Sequence, residues 1–258
     1  MMKTIQINNF SSLHDDVNII FCKTELLESE FEKIKKFKND VILISGNSDF
    51  CIDDNIFNKR PDNIYKWFGQ NALVNHEILE PLPIGIENRF PSIREGHGIG
   101  WGDSVEIKER MIYNSPNIIP DKFIYSNFNV NTNHHHRSQV REICINTDFI
   151  DWEEPNLSIE GFFRKILDYQ LIVCPTGNGI DTHRLWEVLY SNRIPITFKI
   201  GDYNLYKLYE KLPVIILDNI TDLENLELLT EKHYNAKINF KNLEMIDCDY
   251  WVNKILTC

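Results

Sequence analysis

Residues 171–198 read LIVCPTGNGIDTHRLWEVLYSNRIPITF and concentrate Gly177, Gly179, Asp181, His183, Arg184 and Glu187 between two apolar runs. A strand, a glycine-bearing loop and a helix in that order can hold a phosphate, because open α/β sheets collect ligands at the carboxyl ends of their strands. Gly177 and Gly179 let the backbone approach a ligand and reach φ values that other residues avoid. Asp181 or Thr182 is placed to cap the helix, whose first amides favour an anion. His183 and Arg184 fall in the first turn, where cations are unfavourable for the helix itself. A local rule broken at that place points to function. Glu187 shares a helix face with both, to pair with Arg184 or to accept hydrogen bonds from sugar hydroxyls. The structural alternative is a tight turn with Arg184 and Glu187 as a surface ion pair. The stretch has no GK[ST], so it is not a Walker A loop, and it lacks the GxGxxG spacing of a dinucleotide fingerprint.

The elements that must position these residues follow from the apolar pattern. VNIIFC (17–22), a helix over 24–38 with Leu26, Leu27, Phe31, Ile34 and Phe37 at helical spacing, and VILISG (41–46) form a βαβ unit. That unit implies a parallel sheet. IYKWFGQN (64–71) and EPLPIG (80–85) read as further short strands. From 86 to 120 the pattern loosens through REGHGIGWGDS and SPNIIPD, which places a boundary near residue 120. KFIYSNFNVN (122–131) opens a second strand-led unit, and a helix is expected from about Arg137. Strands LIVC, IPITF and VIIL then alternate with helices GFFRKILDYQ, THRLWEVLYSN and DYNLYKLYEKL, and LEMIDCDYWVNKIL closes the chain as a helix. The expectation is two α/β lobes, 1–120 and 121–258, with a doubly wound sheet read from the alternation in the second.

Composition bounds the function class. The 258 residues carry a formal charge of −11, which disfavours nucleic acid or an anionic membrane surface as the main partner. No run offers the roughly 18 consecutive apolar residues of a membrane span, and MMKTIQINNFSSLHDD lacks the apolar core of a secretory leader. The six cysteines form no CxxC pair, which fits reduced thiols better than a zinc ribbon. A soluble, cytoplasmic protein is expected.

The segment from Pro175 to Glu187, followed by Arg193-Ile-Pro-Ile, resembles the donor-binding motif of exostosin-like glycosyltransferases and their bacterial and viral relatives. Lys66 to Asn71 (KWFGQN) and Pro83 to Asn88 (PIGIEN) are similar to the N-lobe of that family. Asn127-Phe128-Asn129, Asn131-Thr132-Asn133 and Arg137 are similar to its first C-lobe strand and loop, so the resemblance spans about 40 to 250. It implies the GT-B architecture, two Rossmann-like lobes with parallel sheets facing a cleft. It further implies sugar transfer from a nucleotide-diphosphate donor, UDP- or GDP-linked, to a glycan or other hydroxyl, with no metal and no other cofactor. Arg137 and Arg184 would face the diphosphate, and amides of Thr176, Gly177, Asn178 and Gly179 would line its pocket. Asn129, Thr132 and Asp181 would complete the donor site, and Glu187 would take the ribose hydroxyls. A protonated His183 would add charge stabilisation. The alternative is a non-catalytic nucleotide-sugar or glycan-binding module of the same fold.

Acceptor chemistry falls to the N-lobe. Asp49, at the end of VILISG, is the leading candidate for the base that an inverting transferase needs. His76, His97 and Glu87-Asn88 are weaker candidates in nearby loops. A retaining enzyme would need no such base. His134-His135-His136 are adjacent and do not converge on one ion, so they read as solvated loop residues. GHGIGWG (96–102) lacks a preceding apolar strand and reads as a loop, and neither Asp53-Asp54 nor Asp148 with Asp151 fits a metal motif.

Overall fold

VILISG is buried at every position, so its strand must be covered on both faces, as in a parallel sheet flanked by helices. The computed structural model, which describes residues 2–15, 18–89 and 104–258, has that arrangement twice. The first sheet holds β1 (Ile19–Lys23), β2 (Val41–Gly46), β3 (Ile64–Gly69) and β4 (Leu79–Pro81), all parallel and side by side in chain order. Helices α1 (Leu27–Ile34) and α2 (Asp54–Asn58) make the crossovers. The second sheet holds β5 (Lys122–Ser126), β6 (Ile150–Trp152), β7 (Tyr169–Val173), β8 (Ile194–Phe198) and β9 (Ile215–Leu217), in the order β6-β5-β7-β8-β9. It too is parallel throughout. The fold is therefore α/β, with a two-lobe Rossmann-like arrangement.

The two sheets differ in winding. The second reverses its strand order between β5 and β7, and a crevice opens at such a reversal. The first runs in one direction, in chain order. Around the sheets lie α3 (Ser104–Tyr113), α4 (His134–Asn146), α5 (Ile159–Ile166), α6 (His183–Tyr190), α7 (Asn204–Tyr209), α8 (Leu226–Lys237) and α9 (Cys248–Leu256). Helix α3 falls where the sequence pattern loosens and was not expected. Helix α4 starts at His134 rather than near Arg137, so the three histidines form its first turn. The expected C-terminal helix is interrupted at Asp247, whose side chain accepts from the Asp249 amide and restarts the chain as α9.

One apolar core joins the lobes. It packs Ile44 and Phe68 of the first sheet with Tyr125, Leu185, Trp186 and Trp251. Fully burying one large side chain of this kind stabilises by roughly 2–3 kcal/mol, so the lobes are fused rather than hinged on a bare linker. Helix α9 lies across the expected division at residue 120, with Lys254 paired to Glu80 and Asp249 to Lys3 at 2.8 Å. Tyr190 stitches the same region, accepting from the Ile5 amide and donating to the Ile246 carbonyl, each at 2.7 Å. No helix among the described residues is long and apolar enough to cross a membrane.

Candidate functional site

The carboxyl ends of both sheets meet at two cavities. The first, about 300 Å³, is lined by Lys23 at the end of β1, Asn47 to Phe50 after β2, Gln70 after β3, then Glu87 and Asn88, and by His183 from the other lobe. The second, about 290 Å³, lies at the strand-order reversal of the second sheet and takes Asn127 and Asn129 after β5 with Arg184 and Glu187 of α6. Glu87 lines both, and the neighbours His183 and Arg184 each line one. The structure thus brings Asp49 and His183 together in one cavity, and Asn129, Arg184 and Glu187 together in the other.

Arg184 is held on three sides. Its guanidinium lies 3.7 Å above the Phe162 ring, Nη1 donates to the Asn127 carbonyl, and Nε donates to Glu187 at 3.3 Å. Its side chain keeps 28% exposure in the cavity. Glu187 is not the exposed partner that a surface ion pair would need. It is buried, with its second oxygen 2.8 Å from Lys108 Nζ. Burial works to raise the Glu187 carboxyl, but Lys108 and Arg184 outweigh it and hold it at about 2. Lys108 also reaches Glu87 at 3.3 Å, and Ser104 Oγ donates to the same Glu87 oxygen at 3.1 Å. Burial alone would lower the lysine; its two carboxylates raise it above the ordinary range. The result is a charge-balanced chain, Arg184–Glu187–Lys108–Glu87, along the cavity wall. The expected ribose role for Glu187 gives way to this structural pairing.

His183 is likewise corrected. Its Nδ1 lies 2.9 Å from the Gly85 carbonyl. A carbonyl only accepts, so Nδ1 carries the hydrogen and Nε2 holds the free lone pair. Burial, reinforced by the charge of Lys108, lowers its pKa, so the ring is neutral rather than the expected cation. Gly85 can serve it because its φ is +66°, and a Cβ there would lie 2.1 Å from the Ile5 carbonyl oxygen.

The 175–182 loop was expected to cradle phosphate with its amides; the Gly177 amide and the carbonyls of Pro175, Thr176, Gly177 and Gly179 are bound within the protein. The Gly177 amide donates to the Gly179 carbonyl at 3.0 Å. Arg137, in α4 rather than a loop, donates to the carbonyls of Thr176 (2.8 Å), Pro175 (3.2 Å) and Asn129 (2.7 Å). It is buried, and burial with nearby Arg184 lowers its pKa to about 10. Arg137 therefore shapes the site from behind. Asn133 closes the loop from another side, bonding Thr176 Oγ1 at 3.3 Å and the Gly177 carbonyl at 3.2 Å. Neither Gly177 nor Gly179 has positive φ. Gly179 is required instead because a Cβ there would sit 2.6 Å from Asn71 Nδ2 of the first lobe. Thr132 is a turn residue whose hydroxyl bonds the Asn129 carbonyl at 3.3 Å, outside both cavities.

Asp181 is no ligand group and no helix cap. It is buried, and its oxygens accept from Trp186 Nε1 (2.7 Å), Tyr209 hydroxyl (2.6 Å) and the Ile84 amide (2.8 Å). Its own amide donates to Asn71 Oδ1 at 3.0 Å, so it fastens one lobe to the other. Burial raises its carboxyl to about 6 despite those donors. No side chain caps α6, which leaves its first amides at the cleft. Asp49 is exposed on the loop after β2, and Asn178 donates to it across the cleft at 3.1 Å.

Other candidates fall away from the cleft or outside view. His76 packs on Phe57 at 4.9 Å, away from both cavities. His136 meets Phe198 edge-on at 5.2 Å. Asp53 caps α2, and Asp151 accepts from Tyr169 at 2.6 Å. GHGIGWG and His97 lie outside the described residues. Lys108 is the residue that sequence reasoning missed. Its signal was a lysine in register with Val105 and Ile112, a charge on what is otherwise the buried stripe of a helix. No protein-family model matches this chain, and a search of curated proteins finds no significant match.

Proposed function

We propose that the protein is a glycosyltransferase of the GT-B type, with the nucleotide-diphosphate sugar in the second-sheet cavity and the acceptor hydroxyl in the first. The observation that carries this reading is the meeting of the two cavities at Glu87, with His183 and Arg184 between them. A group transfer needs two substrates presented to each other at one point, and two strand-end cavities sharing a wall provide that geometry. Arg184, held by Phe162 and Asn127, lies beside the uncapped amides of α6. Together they would balance the charge that grows on the departing nucleoside diphosphate.

The base is reassigned from Asp49 to His183. Its tautomer leaves Nε2 as the acceptor of a ring that lines the cavity, whereas Asp49 already accepts from Asn178. In the step, Nε2 takes the acceptor O–H proton while that oxygen bonds to the anomeric carbon. The bond from that carbon to the diphosphate oxygen breaks, and its electron pair leaves with the nucleoside diphosphate. Attack opposite the leaving group inverts the anomeric centre. Thermal shift against UDP, GDP, CDP, CMP and ADP, with and without EDTA, tests the donor site. One nucleoside diphosphate at 100 times its Kd should add roughly 2.7 kcal/mol, about 5 °C or more for a chain of this size. Arg184→Ala should abolish the shift. No shift with any of the five withdraws the enzyme assignment.

A further inference from the structure

The first-sheet cavity has a chemistry of its own. Its floor is a network of neutral amides. The Asn47 amide donates to Gln70 Oε1 at 2.9 Å, Gln70 Nε2 donates to the Ser48 carbonyl at 3.2 Å, and Asn88 Nδ2 donates to Asn47 Oδ1 at 3.0 Å. Asn47 holds φ at +53° and Gly46 leaves no room for a Cβ beside Gln70, so the floor is fixed before any ligand arrives. Among the described residues, the rim carries two acids, Glu25 and Asp49, and one lysine, Lys23. The remaining carboxylate, Glu87, is already matched by Lys108. Above the floor stands Phe50, a lining residue that is 66% exposed. An aromatic ring left in water at the mouth of a polar cavity is a platform for a ligand that is flat and apolar on one face and polar at its edge.

We infer that this cavity takes an acceptor built of neutral or amino sugars, one ring stacked on Phe50 with its hydroxyls on the amide floor and Asp49, and that it rejects acidic sugars. The C–H face of a pyranose matches the Phe50 ring, and its ring of hydroxyls matches a surface that offers both amide donors and carboxylate acceptors. A uronic acid would set its carboxylate against Glu25 and Asp49, with Lys23 in compensation among the described residues, and repulsion of that kind is how a site excludes a near relative of its ligand. An amine would gain from the same two acids. The inference rests on the transferase reading for its role and not for its recognition chemistry.

The test is saturation-transfer NMR on the full chain with cellotetraose, a chitosan tetramer and tetragalacturonate, and with the nucleoside diphosphate panel run on the same samples. Cellotetraose and the chitosan tetramer should receive saturation and tetragalacturonate should not. Phe50→Ala, at an exposed position where folding is unaffected, should cut the transfer by about fivefold or more, the scale of one lost aromatic contact. Asp49→Asn and Glu25→Gln together should admit tetragalacturonate. Tetragalacturonate binding as well as cellotetraose, equal transfer in Phe50→Ala, or no transfer to any tetramer would each overturn the inference. If a nucleoside diphosphate still binds in that event, the failure belongs to the acceptor chemistry alone; if none binds, the donor reading has failed with it.

Discussion

The loop after β2 and the loop after β7 occupy matching places, each at the carboxyl end of a central parallel strand, yet they differ in what they leave exposed. Residues 175–182 turn polar groups inward. Arg137 and Asn133 hold carbonyls of Pro175, Thr176 and Gly177, and the Asp181 carboxylate is shared among Trp186, Tyr209 and Ile84. Residues 47 and 48 are likewise bound internally, to Gln70 and Asn88, but Asp49 and Phe50 are left exposed above that amide floor. The glycine-rich loop, which draws the eye in the sequence, is the frame that fixes α6 and joins the lobes. The plainer loop leaves its last two side chains in water. Rigidity in the first fixes His183 and Arg184 at the cavities; exposure in the second is what the proposed acceptor site would use.

Mutations on the two sides should differ accordingly. Lys108→Met should have the largest effect, because it leaves Glu187 and Glu87 buried without their shared cation. A loss of about 3–5 kcal/mol is expected at neutral pH, read from the urea midpoint. The wild-type Glu187 pKa is held near 2, so its contribution is present above its ordinary value and is lost as pH falls toward 2. In the variant that pKa rises, so the deficit should shrink near pH 5 as the carboxylates protonate.

Asp181 gives the next effect and the opposite sign. Its folded pKa is raised to about 6, so the folded state holds the proton longer than the unfolded chain does. Stability should therefore fall as pH rises from about 4 to 6, by about 3 kcal/mol from this group. Asp181→Asn should lack that slope when the two proteins are unfolded in urea side by side across the window. Gly179→Ala should follow at about 1–3 kcal/mol, because the new methyl group meets Asn71 Nδ2 at 2.6 Å and strains its bonds to the Asp181 amide and the Ser48 carbonyl. Asn178→Ala removes only the exposed bond to Asp49 and should stay within about 0.5 kcal/mol by the same urea measurement. A large loss there, or a small one at Gly179, would dissolve the contrast between the loops.

Apolar periodicity made most of the parallel strands and most helices legible, because burial on both faces writes continuous runs such as VILISG; the three-residue β6 carries no such run. Strand order was not legible: sequential and reversed sheets draw on the same runs, and only contacts distinguish them. Helix α3 was hidden because its buried stripe carries Lys108, so the charge masked the period. At the site, His183, Arg184 and Glu187 were found by residue type and spacing and Asn129 by the resemblance, and they line the two adjoining cavities. Their roles were less accessible. The neutral state of His183 depends on burial and on Lys108, and its tautomer on the Gly85 carbonyl, both partners distant in sequence. Asp181 was misread because a carboxylate before a helix looks like a cap until Tyr209 and Trp186 are seen to claim it.

The central claim is that the two cavities exchange a sugar at the His183–Arg184 junction. Its most direct test is release of nucleoside diphosphate from the matching nucleotide sugar, followed by coupled assay with and without cellotetraose. The account predicts release that the acceptor accelerates, lost in His183→Ala while nucleoside diphosphate binding is retained, and lost together with binding in Arg184→Ala. Nucleotide binding with no release under any acceptor would contradict it and leave a non-catalytic nucleotide-sugar-binding module.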